Sequence, residues 1–171
     1  MTVDYMEIDV KVVAAKAENV VNAIRCGGLA PSKAGCIKNI LDYLMEKKGE
    51  LSLEYMRSMS SDEVKAELSH LKGVGPKTVS CVLMFNLGRD DLPVDTHVFR
   101  IAKAVGWVPL KANRKKTYDH LNKRVPDDLK FDLNCLLYAH GKVCRKCVTG
   151  ASSKNQNGDS SCPLLHVFKH L

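Results

Sequence analysis

Residues 71–97, LKGVGPKTVSCVLMFNLGRDDLPVDTH, hold the side chains of this chain that are best suited to chemistry. A glycine turn, Gly73-Val74-Gly75, comes just before Lys77, and Asp95 follows later in the same stretch. The N–H groups of such a turn and of the next helix start can point outward together and bind an anion. A neutral lysine amine can attack carbon and form a Schiff base. A carboxylate can accept a proton or stabilise a cation.

Each of these features also has a plain structural explanation. Two glycines fit an ordinary turn between helices, in which Gly73 and Gly75 can adopt positive φ. Lys77 fits a surface lysine beside a phosphate, whereas the positive end of a helix and partial burial would favour its neutral amine. Asp95, or Thr96 after it, fits a helix N-cap. The residues alone leave these alternatives open.

Apolar residues at spacings of three and four predict the helices that position this stretch. Ser60 and Glu63 fit a capping box at a helix start, and Pro76 fits a first helical position. No strand pattern is present, so the predicted class is all-α, with a helix-hairpin-helix over about 61–87. The predicted helices are 9–25, 31–47, 61–71, 76–87, 96–105, 113–125 and 127–140, the last one ending at Gly141.

The composition narrows the classes of partner. The chain has 171 residues, a net charge of +7 and a pI of about 9.0. A basic balance favours polyanions such as nucleic acid, although a solvated basic surface explains it equally well. No apolar run reaches the roughly 18 residues of a membrane span, so we expect no membrane partner. Seven cysteines without a secretory signal indicate a reducing compartment.

The segment 71–107, LKGVGPKTVSCVLMFNLGRDDLPVDTHVFRIAKAVGW, resembles the endonuclease III-like branch of the HhH-GPD DNA glycosylases. That family's motif has a G-V-G turn, a lysine at this place and then V-D-T-H. The resemblance implies a helix-hairpin-helix DNA glycosylase fold and a DNA glycosylase/AP lyase of base excision repair. It implies that Lys77 is the Schiff-base nucleophile, that Asp95 is the catalytic carboxylate, and that the strand is cleaved by β-elimination. The DNA-binding residues it implies are Lys72, Gly73, Val74, Gly75 and Thr78.

The resemblance also implies the partner and the place of action. The partner is double-stranded DNA with a damaged or modified base, bound by a monomer in the nucleus, or in the cytoplasm of a prokaryote. Oxidised pyrimidines are the default base and 5-methylcytosine is the second choice. The family has further helices upstream, so we expect a partial fold from a truncated isoform or fragment. The alternative function is a non-catalytic helix-hairpin-helix DNA-binding module or an inactive short isoform.

The cysteine pattern after residue 143 departs from the family. We expect a helical domain over 1–143 and a cysteine-bearing tail over 144–171, with a flexible loop at 148–161. Many relatives have four cysteines after an H-G-[KR] segment, as a [4Fe–4S] cluster requires. Here the candidate metal ligands are only Cys144, Cys147 and Cys162.

Three interpretations of the tail stay open, so the sequence assigns no cofactor. They are no metal, a degraded [4Fe–4S] cluster, or a zinc site completed by His140, His166 or His170. Cys135 could be a fourth ligand only if its helix turned it toward the tail. The remaining cysteines, Cys26, Cys36 and Cys81, are predicted to be small buried apolar residues.

Overall fold

The computed structural model describes residues 12, 15–144 and 162–164, and these residues are helical with no strand. The prediction of an all-α chain is therefore confirmed. Its α-helices are α1 Ala17–Ala23, α2 Ala30–Lys48, α3 Ser61–Ser69, α4 Pro76–Cys81, α5 Thr96–Ala104, α6 Arg114–Arg124 and α7 Asp127–Val143. Within the described ranges, no helix is long and apolar enough to cross a membrane. The chain divides into two compact units, 1–79 and 80–171. The predicted boundary at residue 143 stays a prediction.

The first unit is organised around α2, which packs against α1. The helix α2 ends at Gly49, whose φ of +69° lets its N–H reach the carbonyl oxygens of Leu44 and Met45. A glycine in this left-handed position is the usual end of a helix because it carries no Cβ. The predicted helix start near Asp9 lies outside the described residues.

The capping box at the start of α3 is confirmed. The Ser60 hydroxyl accepts a hydrogen bond from the Glu63 N–H at 3.3 Å, and the Glu63 carboxylate accepts one from the Ser60 N–H at 2.7 Å. Two N–H groups that the helix cannot pair are thereby satisfied. The helix then buries Val64 and Leu68 and leads into the glycine turn.

One carboxylate joins three elements of the first unit. Glu67 on α3 accepts hydrogen bonds from the hydroxyls of Tyr55 at 2.7 Å and Tyr43 at 3.2 Å, and Lys48 lies 3.2 Å away. The bond from Tyr55 contributes most to lowering the pKa of Glu67. Burial, followed by the bond to Glu67, raises the pKa of Tyr55. These contacts fix α3, and so the start of the glycine turn, against α2 and the 3₁₀ turn Glu54–Ser58.

In the second unit, α5 packs against α7 and α6 around an apolar core. The side chains of Val98, Ile101 and Ala102 from α5 are each no more than 1% exposed. Leu121 of α6 and Leu137 of α7 belong to the same cluster. The hydrophobic face predicted for residues 96–105 is therefore the face that holds this unit together.

Polar side chains from α6 and α7 fasten the extended segment before α5. The Leu92 N–H donates to the side-chain oxygen of Asn122 at 2.7 Å, and the side-chain amide of Asn122 donates to the Leu92 carbonyl at 3.0 Å. Asn134 donates to the Pro93 carbonyl at 2.8 Å, and the buried Lys130 donates to the Asp90 carbonyl at 3.0 Å. An extended segment without a neighbouring strand needs such partners for its buried backbone groups. These hydrogen bonds fix the path of the chain before Asp95.

A second carboxylate adds to this fastening. Asp91 is 6% exposed, and it accepts hydrogen bonds from the hydroxyls of Ser80 and Tyr118, the latter at 2.7 Å. A buried carboxylate is costly unless it is hydrogen-bonded, and here each of its oxygens has a donor. The Asp91 carboxylate thus attaches the segment between the π-helix and α5 to Ser80 and Tyr118.

Some sequence predictions were wrong. The predicted helix 76–87 is α-helical only to Cys81 and continues as a π-helix over Val82–Asn86. Within that stretch, Phe85 is 48% exposed and packs edge-on against Phe131 at 5.7 Å. Cys26 is exposed, and Cys36 and Cys81 are only half-buried. Gly141 does not end its helix, because α7 runs on to Val143.

Gly141 is inside α7 because another side chain occupies the space of its missing Cβ. A Cβ built on Gly141 would lie 2.5 Å from Cβ and 2.7 Å from Cγ of His97. The backbone of α7 therefore lies directly on the first turn of α5. Only glycine permits this approach.

We expect Gly141→Ala to lower the free energy of unfolding by at least about 2 kcal/mol, because the clash forces α5 and α7 apart. The control is Gly35→Ala, since Gly35 is also inside a helix but has nothing within 4 Å of the place that a Cβ would occupy. The control should gain about 0.5–1 kcal/mol from the better helix propensity of alanine. Urea unfolding of both variants measures the difference, and equal stability of the two would contradict the packing described.

Candidate functional site

Gly73 is required at the turn between α3 and α4 for two reasons. Its φ of +94° lies in the region that disfavours residues with a Cβ. A Cβ at this position would also lie 3.0 Å from Sγ and 3.1 Å from Cβ of Cys36 on α2. The turn is therefore packed against α2, and Gly73 uses the positive φ that a glycine can adopt.

Gly75 has a different role, and it does not adopt a positive φ. Its carbonyl accepts hydrogen bonds from the N–H groups of Thr78 at 2.9 Å and Val79 at 3.1 Å, so it begins α4. A Cβ on Gly75 would point into open space, with nothing within 4 Å. Nothing in the fold of the first unit needs a glycine here. Its bare surface leaves the backbone open to a ligand from outside.

The polar side chains of the turn are all accessible. Lys72, Lys77 and Thr78 are exposed, while Val74 and Gly75 are half-buried. Lys77 is therefore not partly buried in this structure. Lys77 is the second residue of α4, so its amine stands near a helix N-terminus and in contact with solvent. The predicted DNA-binding residues and Lys77 thus lie within one short surface of the first unit.

Asp95 is the N-cap of α5. One of its carboxylate oxygens accepts a hydrogen bond from the Val98 N–H at 2.8 Å, and the side chain is half-buried. Among the described residues, no hydrogen bond to its second oxygen is recorded. The structural alternative for Asp95, a helix N-cap, is therefore confirmed. It accounts for one oxygen of the carboxylate and leaves the other available for chemistry.

Two cationic side chains lie close to the ring of Phe99, one turn after Asp95. Nζ of Lys103 lies 4.5 Å, and Cζ of Arg114 5.3 Å, from the ring centroid. Arg114 also donates a hydrogen bond to the Thr96 hydroxyl at 3.2 Å. Arg114, the first residue of α6, therefore stabilises the start of α5 through its cation–π contact with Phe99 and does not simply face solvent.

His97 is packed between α5 and α7. Its ring meets the ring of Tyr138 edge-on at 5.8 Å, and its Cβ touches Gly141. Its Nδ1 atom is buried and has no hydrogen-bond partner among the described residues. These contacts give the histidine a structural role. The histidine sets the distance between the helix that begins at Asp95 and the helix that leads to the cysteines.

Three potential metal ligands meet at the end of α7. His140, Cys144 and Cys162 place one ligand atom each within 4.8 Å of the others, and His140 Nε2 lies 3.5 Å from Cys162 Sγ. Both cysteines are buried, at 8% and 5% exposure. Two of the three predicted ligands are thus brought together, with His140 beside them. The third, Cys147, and the histidines 166 and 170 lie outside the described residues.

Lys77 and Asp95 belong to different units, the former within 1–79 and the latter within 80–171. Sequence reasoning named both, but it missed the side chains that position Asp95. Those are the amides and the lysine that bind the segment before it. Asn134 lies beside Leu133 and near Leu137 in an apolar helical pattern, and that placement of a polar residue was the available signal.

The two glycines of the turn should respond differently to the same substitution. Gly73→Ala should lower the free energy of unfolding by about 2–4 kcal/mol, from the strained φ and the contact with Cys36. Gly75→Ala should change it by less than about 0.5 kcal/mol, since the added methyl meets nothing. Chemical denaturation measures both, and a large loss for Gly75→Ala would show that its bare surface serves the fold.

The sequence of this chain is similar to those of known proteins. An Arabidopsis thaliana protein named "Putative DNA glycosylase" is 62% identical over 160 residues, which are 92% of this chain and 54% of that protein. The DNA glycosylase/AP lyase ROS1 of the same plant is 35% identical over 125 residues, covering 73% of this chain and 9% of that one. The chain thus spans about half of the first relative and a small part of the second. No protein-family model matches the chain.

The fold is also similar to that of a solved structure. A trapped endonuclease III–DNA covalent intermediate superposes with a TM-score of 0.69 and 26% identity, covering 93% of this chain and 67% of that one. The helical architecture and the sequence relatives agree with the resemblance of segment 71–107. The chain belongs to the endonuclease III-like DNA glycosylases.

Proposed function

We propose that this chain removes a damaged or modified base from double-stranded DNA and cleaves the strand at the resulting site. The observation that carries the proposal is the exposed Lys77 beside a glycine turn with an open backbone. Relatives named DNA glycosylase, and a similar endonuclease III trapped covalently on DNA, support it. We further propose that residues 1–143 act as the helical domain, as a monomer in the nucleus.

The turn binds the DNA backbone in this proposal. Gly75 carries no side chain where its Cβ would face open space, so a phosphate can approach the N–H groups at the start of α4. Lys72 and Thr78 are exposed beside it and supply a charge and a hydroxyl. Such contacts fix register without reading sequence. The net charge of +7 favours the same polyanion.

Lys77 is the nucleophile. Once the target nucleotide is turned out of the stack, the neutral amine attacks C1′ of its sugar, and the glycosidic bond breaks as the base leaves with its electron pair and takes up a proton. Ring opening gives an imine between Nζ and C1′. Loss of a proton from C2′ then expels the 3′ phosphate by β-elimination, and water releases the lysine. Exposure of Lys77 in the free chain keeps its amine accessible to the DNA.

Asp95 is the carboxylate of the reaction. One oxygen is held by the Val98 N–H, which fixes the orientation of the side chain at the start of α5. The second oxygen stabilises positive charge on the sugar as the base leaves. Its position is set by the fastened segment before it, whose carbonyl groups at Leu92 and Pro93 are bound by amides.

The second candidate function is a non-catalytic DNA-binding module. The exposure of Lys77 favours it, because a surface lysine beside a phosphate-binding turn need not react. The two candidates share duplex binding and differ in covalent chemistry. A covalent assay therefore separates them.

Borohydride trapping on an abasic-site duplex tests the nucleophile. Borohydride reduces the imine, so the wild-type chain should form a covalent complex with DNA, and Lys77→Arg should form none while it keeps duplex binding through its charge. The matched control is Lys72→Arg, an exposed lysine of the same turn, which should still be trapped. A folded wild-type chain that binds DNA but is never trapped would leave the binding module as the function.

Asp95→Asn separates capping from chemistry. Asparagine caps a helix as well as aspartate does, so the free energy of unfolding should change by less than about 1 kcal/mol. The rate of base release from a thymine-glycol or 5-methylcytosine duplex should fall on the order of 100-fold or more, because the carboxylate is lost. Single-turnover kinetics measures this rate. An unchanged rate with asparagine would reduce Asp95 to a cap.

A further inference from the structure

The group at the end of α7 has the donor set of a metal site. It combines the imidazole of His140 with the sulfur atoms of Cys144 and Cys162, and both kinds of ligand suit zinc. We propose that residues 80–171 hold a single zinc ion, bound by His140 Nε2 and by the thiolates of Cys144 and Cys162. This site belongs to the second unit, and it does not depend on the proposed reaction.

The distances fit one ion. Zinc lies about 2.3 Å from a thiolate sulfur and about 2.0–2.1 Å from an imidazole nitrogen in tetrahedral geometry, which puts sulfur and nitrogen about 3.5 Å apart. The separation of His140 Nε2 and Cys162 Sγ is 3.5 Å. All three ligand atoms lie within 4.8 Å of one another, so closure on one ion needs only small side-chain movements.

The same distances do not fit the cluster that the family resemblance implies. A [4Fe–4S] cluster takes four thiolates on four different irons, so its ligands are separated by the width of the cluster. Here a histidine nitrogen and a sulfur are as close as two ligands of one ion. Cys135, the other cysteine of α7, is exposed and is not in the group. The described residues therefore hold two thiolates and an imidazole instead of four thiolates.

The local structure explains why the ligands converge. His140 and Cys144 are four residues apart, and the Cys144 N–H donates to the His140 carbonyl at 2.8 Å, so both side chains emerge from one face of the last helical turn. By sequence, Cys144 and Cys147 have the C-x2-C spacing of zinc sites. Cys147 is not among the described residues, so the proposal rests on the three ligands that are.

Burial gives the ion a structural role. Cys144 and Cys162 belong to the apolar core of the second unit, and Leu164 packs against the same core. Zinc binding would replace the protons of the two buried thiols, so that negative charge on sulfur would form only together with the cation. The ion would attach residues 162–164 to α7, whose Gly141 lies against His97 on α5. Loss of zinc should therefore loosen the start of α5 as well as the tail.

The test uses the full chain, purified under reducing conditions and dialysed. Elemental analysis should find one zinc per chain and no stoichiometric iron or sulfide. Cobalt added to the metal-free chain should give thiolate-to-cobalt charge-transfer bands and the intense visible bands of tetrahedral cobalt. The result that overturns the proposal is a chain with bound iron and sulfide, a Cys144–Cys162 disulfide in the reduced preparation, or no uptake of either metal ion.

Ligand variants sharpen the test. Cys162→Ser and His140→Ala should each lose the stoichiometric zinc, while Cys135→Ser, which changes an exposed cysteine on the same helix, should keep it. Removal of zinc by a chelator should lower the melting temperature of the wild-type chain and of Cys135→Ser, but not that of folded Cys162→Ser. Should a ligand variant not fold, cobalt spectra of the wild-type chain still decide the matter. Equal zinc binding by Cys162→Ser and Cys135→Ser would also overturn the proposal.

Discussion

The contact between Gly141 and His97 is the constraint on which the second unit depends. The helix α7 lies so close to the first turn of α5 that only a residue without a Cβ fits between them. Asp95 stands at one end of this contact and the group of His140, Cys144 and Cys162 at the other. A single close approach of two backbones thereby relates the candidate carboxylate to the candidate metal centre. Packed interiors transmit such constraints because they contain little free volume.

Polar side chains complete what this contact begins. The segment before α5 has no strand to pair with in the described part of the chain, and amide groups of Asn122 and Asn134 bind its backbone instead. The first unit shows the same principle with one carboxylate, since Glu67 joins α3 to two tyrosines and a lysine. In both units, hydrogen bonds from side chains position the helix or segment that leads to the candidate site residues, while apolar faces pack the helices together.

Much of this could be predicted from sequence because the signals are local. The all-α class, the capping box at Ser60 and the cap at Asp95 depend on residues within one helical turn. The different roles of Gly73 and Gly75 could not be predicted, since they depend on Cys36, which is far away in sequence. The same holds for Gly141, whose place within a helix follows from a histidine on another helix. The meeting of Cys162 with His140 likewise depends on how the chain returns to α7.

The cap at Asp95 has a consequence for natural variation. A position that accepts aspartate and asparagine equally well as a cap can lose its charge by a single nucleotide change, while the helix remains intact. Selection for a stable, abundant protein would not remove such a change. Screens that score variants by abundance or thermal tolerance would therefore class it as neutral, whereas an assay of the proposed reaction would detect the loss of a catalytic carboxylate.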